Sequence, residues 1–384
     1  MTPSGVDPPT SEPDRAVWCE VDLAAIRHNV TVLRELVAPA AFLAVVKANG
    51  YGHGAVPVAR AALDAGAEWL GVARVEEGVQ LRDEGIDAPV LLLSEAPPGA
   101  AETVVSHGIT PVVYTVAGID AVAKAAATVA RAPVSVHLKI DTGMHRVGCA
   151  PDDAAPLAEQ IVAHDELGLG GVLTHLAVAD EPDDPYTGAQ LAAFDAAVAA
   201  LEARDLLDGA VLHAANSAAA IGCASARYDL VRVGISLYGI PPAAGLVGRA
   251  DLEPAMTLTS HVMFVKELPA GARVSYGLRY ELAQRARIAT VPAGYADGVP
   301  RNLGMAGGQV LIRGRRYPIA GTVTMDQLLV DVGNDPVEAG DEVILLGAQG
   351  HDEVTAMEWA DRLGTISYEI VTGIGARVPR RYRG

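Results

Sequence analysis

Lys47 closes an apolar run and opens a glycine-spaced loop, Ala41-Phe-Leu-Ala-Val-Val-Lys47-Ala-Asn-Gly-Tyr51-Gly-His53-Gly. Lysine is scarce here, four of 29 basic residues, so arginine carries the ordinary positive charge and this placement points to the amine itself. At the end of a buried strand an amine faces a desolvated pocket, where its pKa falls and it becomes a usable nucleophile. Glycines after it let backbone and ligand approach closely. The alternative is a strand-terminal lysine that extends its ammonium to solvent. Two further segments offer anion-binding groups, His213-Ala-Ala-Asn216-Ser217 and Val231-Arg232-Val-Gly234-Ile235. Asn216 and Ser217 carry side-chain and main-chain donors, and Gly234 lets its own amide and that of Ile235 reach a phosphate oxygen. Asn-Ser is equally a helix N-cap, and both readings hold together because a helix start is itself an anion site.

The elements that must position these groups follow from hydrophobic patterning. Asp22 can cap a first helix in which Leu23, Ile26, Val30, Leu33 and Val37 recur at spacings of three and four. Apolar strands are expected at 41–46, 69–72, 90–93, 110–113, 134–140, 168–173, 211–213 and 230–233, with alanine-rich helical segments such as 117–130, 154–163 and 189–203 between them. Eight β/α units fit a closed (β/α)8 TIM-type barrel better than an open sheet, and no Gly-x-Gly-x-x-Gly follows a strand. In such a barrel the end of the first strand, where Lys47 stands, belongs to the face that carries active sites, and the loops after strands seven and eight often bind phosphate. A nucleophilic lysine opposite a phosphate cradle suggests pyridoxal phosphate held as a Schiff base.

After Gly239-Ile-Pro-Pro-Ala the texture changes to alternating β-branched stretches at 258–265, 286–291, 310–313, 328–332 and 343–346, with one helix near 355–363. The expected division is a disordered, Pro-rich tail at 1–15, a barrel domain at 16–244 and a C-terminal β-rich domain at 245–384. The stretch 17–23 is open to assignment to either domain. Composition agrees with a large two-domain globular chain: 384 residues, half of them apolar and a fifth charged. A net charge of −18 without a basic stripe argues against nucleic acid or an anionic membrane as partner. Cys19, Cys149 and Cys223 are too few and too scattered for a disulfide framework or a structural zinc, and suggest free thiols in a reducing cytoplasm. No run is long and apolar enough to span a bilayer.

The motifs together resemble the bacterial alanine racemases. The likeness begins with the Lys47 signature and continues in order through Lys139-Ile-Asp-Thr-Gly-Met-His-Arg146-Val-Gly, Thr174-His175-Leu-Ala, Ala215-Asn-Ser217, Arg232-Val-Gly-Ile, Ser275-Tyr276-Gly, Gly294-Tyr295-Ala-Asp-Gly, Met325-Asp-Gln and Ser367-Tyr368-Glu. The resemblance implies a homodimeric, pyridoxal-phosphate-dependent enzyme that interconverts L- and D-alanine and supplies D-alanine for peptidoglycan. By resemblance Lys47 and Tyr276 are bases on opposite faces of the substrate, with Tyr276 donated by the partner subunit. His175 beside Arg232 would help that tyrosine ionise. Arg232 would face the pyridine nitrogen and, having no proton to give, keep the ring neutral; the plain alternative is a barrel arginine paired with a carboxylate. Tyr51, Ser217, Gly234, Ile235 and Tyr368 would hold the phosphate, with Asn216 beside them. Met325 and Arg146 would meet the substrate carboxylate. Tyr295, Asp180, Arg301 and Asp326 would line the entry corridor. For Tyr295 and Tyr368 the plain alternative is a packed tyrosine with a satisfied hydroxyl. Lys139, costly as an unpaired ammonium in an apolar strand, would be carbamylated and pair with Arg146; the alternative is pairing with Asp141.

Two departures stand out: His145 where the family usually has a glycine, expected to add bulk near Arg146, and Thr324 where it often has a cysteine, expected to change little. Among rivals, a decarboxylase of the same architecture calls for an acid at the ring nitrogen and a late catalytic cysteine, and Arg232 and the lack of cysteine after Cys223 oppose both. A serine or broad-specificity racemase is a closer rival, and in a serine-preferring one an asparagine is expected where Tyr368 stands. A non-catalytic pyridoxal-phosphate-binding protein would need only the barrel, which leaves Tyr276 and Met325 unexplained.

Overall fold

The computed structural model describes residues 16–129 and 133–384; the tail expected over 1–15 lies outside the described residues. The chain forms two compact units. One comprises Asp22–Ala255 with Arg383–Gly384, and the other Met256–Tyr382 with the described residues up to Val21. The first strand, β1 (Val17–Asp22), pairs antiparallel within the second unit, Val17 opposite Ser260 and Val21 opposite Met256. Helix α1 (Leu23–Val37) follows at once, because the Asp22 carboxylate accepts the Ala24 and Ala25 amides at 2.9 and 3.1 Å and so fixes its start. Ile26, Val30, Leu33 and Val37 form its buried stripe.

The first unit is a parallel barrel of β2 (Ala41–Val45), β3 (Trp69–Val72), β4 (Val90–Leu92), β5 (Val112–Val113), β6 (Val134–Lys139), β7 (Leu167–Leu173), β8 (Val211–His213) and β9 (Leu230–Val233). The strands run as two ladders, β4-β3-β2-β9 and β5-β6-β7-β8. Thr110 closes one seam, donating to Val90 O at 2.8 Å and accepting from Leu92 N at 2.9 Å. The other is closed by Asp229 N to Leu212 O and Arg232 N to Ala215 O, both 3.0 Å. Barrel interiors are ordinarily filled by branched aliphatic side chains, but this one also takes His137, His213 and Arg232, each almost fully buried. Room for the first comes from Gly171 on β7, where an added Cβ would stand 2.6 Å from His137 Nδ1.

The boundary expected at residue 245 lies instead at Ala255/Met256. The intervening segment has little apolar pattern, but its backbone is bound to α1: Asn29 brackets Glu253, donating to its carbonyl at 2.9 Å and accepting its amide at 2.8 Å, and His28 donates to Asp251 O at 2.9 Å.

The second unit contains β10 (Met256–His261), β11 (Phe264–Leu268), β12 (Arg273–Val274), β13 (Tyr280–Glu281), β14 (Ala286–Val291), β15 (Gln309–Ile312), β16 (Arg315–Pro318), β17 (Leu328–Gly333), β18 (Glu342–Gln349), β19 (Asp352–Val354) and β20 (Arg380–Arg383). Its main sheet runs β16-β15-β18-β10-β1-β20 with β19 on β18, and a second runs β11-β14-β17. The single strand expected over 258–265 is therefore two. At Val262 and Met263 the chain changes sheets, its amides passing to Asp341 O and Thr290 O, both at 2.8 Å. The helix Ala356–Leu363 starts on Thr355, whose hydroxyl accepts Glu358 N at 3.0 Å, and stops at left-handed Gly364. Among the described residues no helix is long and apolar enough to cross a membrane.

Candidate active site

β2 brings Lys47 to the carboxyl end of the barrel, and the backbone then enters a left-handed turn. Ala48, Asn49, Gly50 and Tyr51 have φ of 51°, 53°, 61° and 50°. Left-handed backbone costs a non-glycine residue roughly 1–2 kcal/mol, so the turn needs external support. Asn49 Oδ1 accepts Ala55 N at 3.0 Å, its carbonyl accepts Gly54 N at 2.8 Å, and Glu77 Oε1 accepts Ala48 N at 2.6 Å. Tyr51 is buried, its ring 5.0 Å from that of Tyr238, whose hydroxyl donates to Val45 O at 3.0 Å. Burial, and then the nearby Arg146, hold the Lys47 amine below its ordinary pKa, while Glu77 acts against them.

Lys139 ends β6 with only 5% of its surface exposed, and its amine donates to Leu93 O at 3.0 Å. The pairing with Asp141 weighed from sequence does not form. That carboxylate accepts the Gly143 and His145 amides at 3.0 and 2.9 Å and meets the His145 ring at 3.3 Å. Burial, followed by Arg232, Arg146 and Lys47, pulls the Lys139 pKa down to about 7. Lys139, Asp141, Met144, Arg146, Thr174 and His175 line one cavity. His145 keeps the left-handed backbone of a glycine, φ 56°, and its two contacts with Asp141 hold it there.

Arg232, on β9, has no carboxylate partner among the described residues. Its guanidinium donates to Thr174 O at 2.7 Å, His213 O at 2.9 Å and Ala214 O at 3.0 Å, and to the Nδ1 atoms of His213 at 3.0 Å and His175 at 3.3 Å. This removes the alternative of a barrel arginine in an ordinary ion pair. An arginine can only donate, so both imidazoles must present Nδ1 as a lone pair and carry their proton on Nε2. His213 Nε2 then donates to His137 Nδ1 at 2.9 Å. Burial and the Arg232 charge keep His175, His213 and His137 neutral, the last held down to about 4. Arg146 makes no hydrogen bond or ion pair among the described residues.

In the segment expected to offer anion-binding groups, Asn216 is the N-cap of the helix Ser217–Gly222, its Oδ1 accepting Ala219 N at 3.0 Å. Gly234 differs from expectation: its amide donates to Ser217 Oγ at 2.8 Å, which leaves the Ser217 hydroxyl proton to point elsewhere. Gly234 is required sterically, since a Cβ there would lie 2.4 Å from the Tyr51 hydroxyl. Ile235 is the next residue, fully buried, and Asp180 is exposed in the loop after β7.

The remaining predicted residues lie in the second unit. Tyr276 is 70% exposed, and its carbonyl accepts from the Thr322 hydroxyl at 3.2 Å, which sets it beside the loop that carries Met325. Met325 is 53% exposed at the tip of a turn closed by Thr324, whose hydroxyl donates to Gln327 O at 2.8 Å. That loop is tied to the Tyr295 turn by Tyr295 N to Thr324 O at 2.9 Å and Ala296 N to Met325 O at 3.0 Å. Arg377, not anticipated from sequence, bridges buried Asp297 at 2.7 Å and Asp326 at 2.8 Å. Arg301 is exposed, and Tyr368 is half-buried on the helix Ser367–Thr372. Sequence reading also missed Glu77: Arg74 at the helix start cannot accept a capping hydrogen bond, so the reciprocal Ser/Thr-x-x-Glu signature is lacking, although Glu77 does close the first turn on the Ala73 and Arg74 amides.

Similarity to known proteins agrees with this geometry. Residues 21–242 match the alanine racemase N-terminal domain and residues 255–382 the alanine racemase C-terminal domain. An alanine racemase of Symbiobacterium thermophilum is 50% identical over 96% of this chain and 98% of its own, and one of Thermobifida fusca 48% identical over 95% and 97%. The crystal structure of alanine racemase from D-cycloserine-producing Streptomyces lavendulae superposes with a TM-score of 0.91 at 43% identity, covering 97% of this chain and 98% of that one. With both domains matched in order and half of the residues identical to a relative of the same length, this chain belongs to the alanine racemase family, whose reaction is the interconversion of L- and D-alanine.

Proposed function

We propose that this racemase works on pyridoxal phosphate attached to Lys47, in a homodimer whose two active sites each borrow Tyr276 and Met325 from the other subunit. The observation that carries the cofactor reading is charge. After burial, Arg146 lowers the pKa of Lys47, and Arg232, Arg146 and Lys47 lower that of Lys139, while neither arginine has a carboxylate partner among the described residues. Four cations gathered together, Lys139 and Arg232 buried, Lys47 half-buried and Arg146 exposed, with only Glu77 and Asp141 opposing them at the two amines, fit an anionic group. The donor set suits this one: a lysine amine held toward its neutral form, the Ser217 hydroxyl at a capped helix start, the buried Tyr51 hydroxyl and the Ile235 amide for the phosphate, and an arginine that can only donate toward a ring nitrogen. When bound, pyridoxal phosphate withdraws electrons from the substrate α-carbon and so makes its proton removable.

The chain's own groups do the rest. Lys47 takes or returns the α-proton on one face and Tyr276 of the partner subunit on the other. His175, fixed by Arg232 with its proton on Nε2, can donate to the Tyr276 oxygen and so stabilise the phenolate that a base requires. Arg146 and the Met325 amide hold the substrate carboxylate, and Tyr295, Asp180, Arg301 and Asp326 frame the approach. The exposure of Tyr276, Leu278 and Met325 on one unit supports their covering by a second copy. For Lys139, a pKa near 7 supports attack of the neutral amine on carbon dioxide: an N–C bond forms, one proton leaves, and the carbamate anion pairs with Arg146. Free thiols at Cys19, Cys149 and Cys223 support a reducing cytoplasm, where D-alanine would feed peptidoglycan.

Borohydride reduction of the pyridoxal-phosphate-loaded protein, followed by peptide mass analysis, should place the cofactor on Lys47. Incubation with L-alanine in D₂O should give α-deuterated D-alanine in preference to exchange of L-serine. A tag on another lysine, or exchange without inversion, would overturn the assignment.

A further inference from the structure

Glu77 performs two tasks with its two oxygens. Oε2 accepts the Ala73 and Arg74 amides at 2.9 and 3.1 Å, an ordinary closure of the first turn of the helix Val75–Asp83. Oε1 reaches into a different loop and accepts Ala48 N at 2.6 Å. Helix capping does not require that second bond. Ala48 follows Lys47 directly and is the first residue of the left-handed turn, with φ 51° and a Cβ that makes this conformation unfavourable. A short hydrogen bond to an ionised acceptor is strong enough to hold it. The same carboxylate bears on the Lys47 amine. The groups facing that amine are Arg146, Lys139 and His175, with Glu77 acting against the burial and the cations that favour the neutral form.

We propose that Glu77 is a positioning residue for Lys47: it pins the left-handed turn that aims the amine, and its negative charge keeps a share of that amine protonated so that it can return a proton as well as take one. The inference rests on Lys47 being the cofactor lysine. It assigns to Glu77 a role in the balance between the two proton-transfer directions that a residue capping a helix would not have.

The test is competitive reductive methylation of the apo-protein across a pH series, with Lys47 quantified by peptide mass analysis, on wild type, Glu77→Gln and Glu77→Asp. Removing the charge in Glu77→Gln should lower the Lys47 titration midpoint by about one pH unit, which corresponds to about a tenfold change in the protonation equilibrium. Glu77→Asp keeps the charge but is one methylene short. Its midpoint should stay near wild type while pyridoxal phosphate attaches several-fold more slowly, because the turn is no longer pinned. A Glu77→Gln protein with wild-type unfolding behaviour and an unmoved midpoint overturns the electrostatic role. Wild-type attachment rates in Glu77→Asp overturn the geometric one, and that variant carries the test should Glu77→Gln not fold. Failure of wild-type protein to attach the cofactor at Lys47 would defeat the underlying reading, whereas normal attachment with unmoved midpoint and rate defeats only the role of Glu77.

Discussion

Acidification should unfold this protein through a histidine that never meets substrate. His137 sits in the barrel interior with its Nδ1 taken by His213 and its Nε2 without a hydrogen-bond partner among the described residues, and it is held near pKa 4 instead of 6.5 by burial and then by Arg232. Its folded-state pKa is depressed, so below about 6.5 the unfolded chain gains a proton that the folded chain refuses. Stability is therefore intact above that value and declines as pH falls from about 6.5 toward about 4. At about pH 5 the linkage amounts to about 2 kcal/mol from this residue alone, a sizeable part of the few kcal/mol that ordinarily hold a domain folded. Urea unfolding of the apo-protein at one fixed concentration, at about pH 7.5 and about pH 5, would measure it; fixed concentration matters because association in the proposed dimer would contribute to stability. His137→Gln keeps a hydrogen-bonding side chain but cannot be protonated, so it should lose about 2 kcal/mol less than wild type over the same interval. Equal losses in the two proteins would refute the neutral, buried imidazole.

Three other expectations concern single positions. Tyr276→Phe should slow α-proton exchange from L-alanine in D₂O by about 10²-fold or more while affecting D-alanine far less, as loss of one positioned base predicts; equal slowing on both would remove Tyr276 from its role. His145→Gly should raise stability by about 1 kcal/mol in chemical denaturation, because glycine relieves the left-handed backbone, and a loss of stability would mean that the Asp141 contacts matter more than the strain. Gly234→Ala drives a Cβ against the Tyr51 hydroxyl and should weaken pyridoxal phosphate binding at least about tenfold, about 1.4 kcal/mol, in a spectroscopic titration; unchanged affinity would move the phosphate away from this loop.

The barrel was legible in the sequence because its strands are buried on both faces, and continuous apolar runs such as 69–72 and 90–92 announce themselves. The second unit was harder to read. Arg273–Val274, Arg315–Pro318 and Arg380–Arg383 form strands that are short and charged, so pairing with neighbours far along the chain, and not their own pattern, makes them strands. Among site residues, Lys47, Lys139 and Arg232 could be singled out because each is a cation in an apolar setting. His137, Glu77 and Arg377 could not, since their importance lies in partners 29 to 80 positions away that no local spacing encodes. The left-handed turn after Lys47 was half visible: its glycines suggested unusual backbone, but Ala48, Asn49 and Tyr51 adopt it too, and only the acceptors around them explain why.

The placement of β1 bears on how the chain is made. β1 pairs with β10, yet a ribosome delivers roughly two hundred residues between them, which at typical synthesis rates takes roughly 10–50 s. During that interval the barrel strands emerge and can close, while Val17, Cys19 and Val21, all buried in the finished protein, have no sheet to enter. An alternating apolar segment with an unpaired edge is a site for chaperone capture or misassociation. Completion of the second unit is thus the step that takes β1 out of solvent, and newly made protein should remain open to proteolysis within Val17–Asp22 until the residues after Met256 have been added.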